Sequence, residues 1–177
     1  MNPIPFFVCL VLFLIQSTLG LNAQNPLVDS LRTQLELHLQ KDTSRVILLN
    51  ELADQVYRSD YKQCLTYLNE AEDMAISIGY KKGLAETYLI KGIAVNRYSD
   101  YKDGVQYYEK AAALFQELEL HGKVITCYGN TAIFHRRRGE LRTAIKYREK
   151  SIALREKVGS NKNGSCLLYT SPSPRDA

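Results

Sequence analysis

The same kinds of residue return every 40 positions through most of this chain. Tyr67, Tyr107 and Tyr147 keep that spacing, as do Leu65/Val105/Ile145, Met74/Leu114/Leu154 and Ala71/Ala111/Ser151. A fixed period of this length belongs to stacked supersecondary units, each too small to bury its apolar face alone. Within the middle unit, Leu84, Tyr88, Val95 and Tyr98 recur at helical spacing around the small Gly92. After a break at Ser99-Asp100, Val105, Tyr108, Ala112 and Phe115 do the same. The unit is therefore two helices, A and B, joined by a tight turn. Tyr88/Tyr128, Gly92/Ala132 and Ile93/Ile133 carry the period through the A helices, and Ser59-Asp60-Tyr61, Ser99-Asp100-Tyr101 and Gly139-Glu140-Leu141 mark the turns.

These residues resemble the tetratricopeptide repeat. Its pattern places a small residue in mid helix A, a Gly-Asp-Tyr-like turn, then a small residue, an aromatic and an Ala along helix B. Gly92, Ser99-Asp100-Tyr101, Gly104, Tyr108 and Ala111 occupy those places, and Ala132, Gly139-Glu140, Ala144 and Ser151 occupy them one unit later. The usual period of that family is about 34 residues, so the longer period here implies longer helices. The first unit is the least regular, with Cys64 at the small helix B position and one residue fewer on its helix A side. The resemblance implies an all-α fold, an α-solenoid of antiparallel helix pairs in a right-handed superhelix. Repeats are expected at residues 43–82, 83–122 and 123–163.

Before the repeats, Leu27, Leu31, Leu35 and Leu39 form an i, i+4 stripe, expected as a capping helix within residues 24–42 that covers the first repeat. Lys41-Asp42-Thr43-Ser44 offers a break and an N-cap, after which Val46, Leu49, Leu52, Ala53 and Val56 are expected to face inward. Residues 1–23 read as a signal peptide: an apolar run from Phe6 to Ile15, then polar and small residues up to Ala23. That run is shorter than the roughly 20 residues a membrane helix needs. The expected location is therefore the periplasm or the periplasmic face of the inner membrane, with membrane contact only through an uncleaved signal anchor or a missing C-terminal segment. At the other end, helix B of the third repeat is expected to fade at Val158-Gly159, with a turn from Ser160 to Gly164. Residues 164–177 lack the period and are expected to be a disordered tail. From Cys166 to Ala177, CLLYTSPSPRDA resembles read-through of a sequencing adapter, which implies that the natural protein is truncated here.

Charge is unevenly spread. The chain carries +4 overall, yet residues 123–163 alone hold 11 Lys and Arg against 3 Asp and Glu. Arg136-Arg137-Arg138 closes a helix A, where cations complement the helix dipole. Cys64 and Cys127 lie on a B helix and on an A helix two repeats on, in a stack whose units touch only their neighbours, and read as small packing residues rather than a disulfide. His38, His121 and His135 are scattered and suggest no metal site, and the tyrosines fall on the repeat columns as packing residues. No nucleophile elbow, phosphate loop or acid–base constellation is present in the sequence. The reading is of a chain that is no enzyme and needs no cofactor.

In the family resembled, certain helix A positions line a concave groove. They correspond here to Glu86, Leu89, Ile90, Ile93, Asn96 and Arg97, and to Thr126, Gly129, Asn130, Ile133, Arg136 and Arg137. Asn96, Arg97, Asn130, Arg136 and Arg137 are the candidate peptide-binding residues, suited to an acidic peptide or a carboxylate. The alternative is a solvated basic face, or one paired with acids on a further repeat. Nucleic acid is not the expected partner, since an exported chain does not normally meet it. The whole stretch is similar to the amino-terminal sensory region of bacterial repeat-containing signalling proteins, in which repeats precede a histidine kinase, a DNA-binding regulator or a cyclase. It implies a protein-interaction module; a free-standing periplasmic scaffold and a fragment of an enzyme that has lost its catalytic domain are the other two readings.

Overall fold

The computed structural model describes residues 25–98 and 102–166. The expected signal peptide, the Ser99-Asp100-Tyr101 turn and the adapter-like residues 167–177 lie outside the described residues. Seven helices follow one another with no strand among the described residues: α1 (Pro26–Leu37), α2 (Thr43–Val56), α3 (Tyr61–Ser77), α4 (Lys81–Tyr98), α5 (Lys102–Glu117), α6 (His121–Arg137) and α7 (Leu141–Cys166). Each packs on the next, and α2 touches α4 as α4 touches α6. The fold is the all-α, tetratricopeptide-like solenoid, with α2/α3, α4/α5 and α6/α7 as its A/B pairs.

Starts are set by side-chain acceptors for backbone N–H groups that have no partner in a first helical turn. Asn25 accepts from Leu27 ahead of α1, Asp42 from Arg45 ahead of α2, and Asp60 from Gln63 ahead of α3. Pro26 opens α1, where its missing N–H costs nothing. Three ends share another device. Gly79, Glu119 and Gly139 take positive φ of 69°, 55° and 77°. The next N–H then reaches back five residues, Tyr80 to Ala75 O at 2.8 Å, Leu120 to Phe115 O at 2.9 Å and Glu140 to His135 O at 3.0 Å.

Two expectations change at the ends. The buried stripe of α1 is Val28, Leu31 and Leu35, whereas Leu27 is half exposed and Leu39 is 82% exposed. The cause is an earlier stop. The Arg45 guanidinium donates to the carbonyls of Leu35 (3.1 Å) and His38 (2.7 Å) and to Glu70, so α1 ends at Leu37 and Leu39 falls outside it. At the other end, α7 does not fade at Val158-Gly159 but runs through Ser160-Gly164 to Cys166, so the tail expected from 164 begins inside a helix. Gly159 stands in the column of Gly79 and Glu119 yet does not take a positive φ. The helix continues through it, whereas after Gly79 and Glu119 the following residues Tyr80 and Leu120 turn back into the core.

The core forms two clusters. One joins Val28, Leu31 and Leu35 of α1 to α2, α3 and, from α4, Ile90 and Ala94. The other joins Ala85 and Leu89 of α4 to α5, α6 and Leu154 of α7. Val46, Leu49, Leu52, Ala53 and Val56 are all buried as expected. Because α4 feeds both clusters, it is enclosed on two sides, and even Thr87 and Lys91 are buried on it. Its glycines mark where helices close in. A Cβ on Gly92 would stand 2.6 Å from Cε1 of Tyr108, and one on Gly83 would meet Tyr80 and Val46 below 3 Å. Cys64 and Cys127 are buried free thiols, the packing residues expected of them. Burial pushes the first up to about 11 and the second up to about 12.

Candidate interaction groove

A groove of about 470 Å³ runs across the A helices, with α2, the turn into α4, α4 itself and Lys123 of α6 along its walls. From α2 come Ile47, Asn50, Glu51, Asp54 and Gln55; from α4 come Glu86, Leu89, Ile90 and Ile93. These sets pair at a spacing of 39 rather than 40: Ile47/Glu86, Asn50/Leu89, Glu51/Ile90 and Asp54/Ile93. The residue missing from the first helix A shifts its lining by one position. Continued by 40 onto α6, the same columns give Thr126, Gly129, Asn130 and Ile133. Gly129 faces open space, and Ile133 is 38% exposed.

Burial at the groove base is paired with hydrogen bonds, as buried polar groups require. Asn50 donates from Nδ2 to Gly83 O at 3.1 Å, and Thr87 Oγ1 lies 2.9 Å from Asn50 Oδ1. This locks α2 to the first turn of α4 and holds the floor in place. The floor is apolar, with Leu89 and Ile90 largely buried and Ile47 exposed. Glu51, Asp54 and Glu86 give one wall an acidic character. Lys123 answers Glu86 across the α4–α6 gap at 2.8 Å, and Lys82 supplies the second cation. Such a groove suits an extended segment carrying apolar side chains, with main-chain partners at its edges.

Of the candidate peptide-binding residues, Asn130 lies on the groove columns, half-buried. Asn96 lies at the crossing with α5, where a Cβ on Gly104 would sit 3.6 Å from its Cβ. Its side chain is hydrogen-bonded to the Tyr108 hydroxyl, leaving Oδ1 buried and without a partner in the described residues. Arg97, Arg136 and Arg137 stand exposed in the closing turns of α4 and α6, beyond the groove walls. With the one-residue shift in α2, Arg58 joins Arg97 and Arg137 as one column, an arginine at the same place in every repeat. Arg58 donates to the Tyr57 hydroxyl at 2.7 Å and lies 5.2 Å from that ring's centre. The row edges the groove where the A helices end.

Tyr88 and Tyr107 stack at 6.1 Å with Lys110 over both rings, and Tyr128, Tyr147 and Lys150 repeat the arrangement 40 positions on. Tyr147 donates to Glu109 at 2.8 Å, and with burial this keeps its hydroxyl protonated, up to about 12. The lysine column was legible in the sequence as Lys110/Lys150, but only the tyrosines drew attention there. The groove residues of α2 were hidden by the shifted period. Among the described residues no group of three His, Cys, Asp or Glu is placed to hold a metal, and no helix is long and apolar enough to cross a membrane.

Comparison with known proteins agrees with this geometry. Residues 83–157 match the family model described as tetratricopeptide repeat. A search of the curated proteins finds no match.

Proposed function

We propose that this chain, whose residues 83–157 match the tetratricopeptide repeat family model, serves as a protein–protein interaction scaffold that seats an extended peptide along its A helices. The groove of about 470 Å³ across α2, α4 and α6 carries this reading, because it offers an apolar floor on helices that are fixed before any partner arrives. The preferred peptide is acidic. Its side chains or terminal carboxylate pair with Arg97, Arg136 and Arg137, and Asn130 hydrogen-bonds its main chain. Asn96, tied to Tyr108, keeps the end of α4 in register with α5. The acids on the opposite wall, Glu51 and Asp54, set the peptide's direction by repelling its carboxylates toward the arginine row.

The test is titration of the full chain with a fluorescein-labelled acidic peptide ending in a free carboxylate. Binding is expected to weaken as salt rises, since exposed charge pairs are screened beyond about 8 to 10 Å at physiological ionic strength. Arg136→Glu with Arg137→Glu abolishes it while the helical circular dichroism stays unchanged. Equal binding by wild type and double variant overturns the proposal.

We further read the scaffold as the exported sensory part of a bacterial signalling protein. The support is the apolar run Phe6–Ile15 before the repeats and the similarity of Lys41 to Tyr61 to such regions. Expression in a diderm bacterium with sequencing of the mature amino terminus checks the export step. A chain that begins at Met1 and stays in the cytoplasm overturns it.

A further inference from the structure

The last helix departs from its predecessors on one face only. Facing its own A helix, α7 keeps the expected small residues: Ala144 and Ser151 are buried like Cys64 and Gly104, and Ala71 and Ala111. The columns beside them differ. In the first two repeats helix B places Leu68 and Ala75, then Tyr108 and Phe115, between its own A helix and the next, Tyr108 against Gly92, and all four are essentially fully buried. In α7 those columns hold Arg148 and Arg155. Both are exposed, and neither has a hydrogen-bond or ion-pair partner among the described residues. Around them Leu141, Ile145 and Ile152 are 59%, 57% and 46% exposed. Positions 141, 145, 148, 152 and 155 fall on a single helical stripe, apolar residues alternating with guanidinium groups.

Another A helix like α4 or α6 does not fit this stripe. It would bury two unpaired guanidinium groups against apolar side chains, a cost far above what the exposed isoleucines return. A second copy of the chain set symmetrically on the same face brings like charge to like charge, in the region with 11 basic and 3 acidic residues. We propose that this face of α7 docks an acidic amphipathic helix of a partner protein, its carboxylates pairing with Arg148 and Arg155 while its apolar residues cover Leu141, Ile145 and Ile152. The arrangement is a helix-on-helix contact in which charge supplies the selectivity and apolar area the affinity. It is separate from the groove and does not depend on the peptide reading.

The test uses the full chain and two synthetic helices, one with Leu at i, i+4, i+11 and Glu at i+7 and i+14, the other with Lys replacing those Glu. By fluorescence anisotropy the acidic helix binds and the basic helix does not. Arg148→Glu with Arg155→Glu weakens the acidic helix by about tenfold or more and lets the basic helix bind. Failure of the acidic helix to bind the wild type, or equal binding by the Arg148/Arg155 variant, overturns the proposal. So does a wild type that is dimeric in light scattering and becomes monomeric on Ile145→Glu, since the face would then be occupied by a second copy.

Discussion

Lys91 shows how one residue depends on its surroundings. Its ammonium group is 5% exposed on the enclosed helix α4, where it pairs with Glu72, accepts nothing itself, donates to Asn69 at 2.8 Å and lies over the Tyr107 ring. Removing only the anion leaves a buried cation short of partners, whereas removing the cation leaves a partly exposed carboxylate that water can reach. Glu72→Gln is therefore expected to destabilise the chain more than Lys91→Met, by about 1 to 3 kcal/mol, in urea unfolding; the reverse order would mean that the pair contributes nothing. At Gly92 the issue is space. A leucine there drives into the Tyr108 ring and wedges α4 from α5, with an expected loss of about 1 to 3 kcal/mol, read as a lower melting temperature. The thiols give a third check. With burial holding Cys64 at about 11 and Cys127 at about 12, neither is a thiolate near neutral pH. A thiol reagent at pH 8 is expected to label both only as fast as the chain unfolds, and rapid labelling of Cys64 or Cys127 in the native protein, located by peptide mapping, would contradict the packing.

At the scale of the element, the caps decide where helices begin and how they respond to acid. Asp42 caps α2 through Arg45 N at 3.0 Å and holds His38 at 2.8 Å. The His38 hydrogen bond first, then the Arg45 N–H, keeps its carboxyl below the ordinary carboxylate range. A depressed folded value means that the contribution is complete near neutral pH and is lost as pH falls through the carboxylate range, below about pH 5. Asparagine caps nearly as well as aspartate, so Asp42→Asn is expected to keep the helix and flatten the acid dependence. Asp42→Ala loses the cap as well and is expected to be the less stable of the two variants near neutral pH; identical acid profiles for wild type and Asp42→Asn would refute this. The same elements show what a sequence tells about such a chain. Helix pairs were legible because Tyr67/Tyr107/Tyr147 and the small residues hold one period that packing enforces. The end of α1 was not, because a side chain from α2, Arg45, sets it across space. Nor was the end of α7, since Gly159 does not take the positive φ that reverses the chain at Gly79 and Gly139. The groove positions on α4 were legible, whereas those on α2 follow only when the one-residue deficit of the first helix A is carried into its columns, at a spacing of 39 rather than 40.

At the scale of the whole molecule, the two clusters share α4 and no other helix among the described residues, so protection is expected to be graded. In native-state hydrogen exchange, amides of α4 should be the last to exchange and those of α1 and the end of α7 the first; uniform protection along the chain would show a single cooperative unit instead. Among the described residues the backbone packing joins each helix to the next in sequence, or one A helix to the next A helix, with only side-chain hydrogen bonds such as Arg32–Gln63 and Tyr147–Glu109 reaching between other helices. A load applied between the two ends is therefore borne link by link, like weights on springs hung in series. Compliance adds with each pair, the molecule lengthens by small tilts at many joints instead of rupture at one, and a force-bearing role costs it no change of secondary structure.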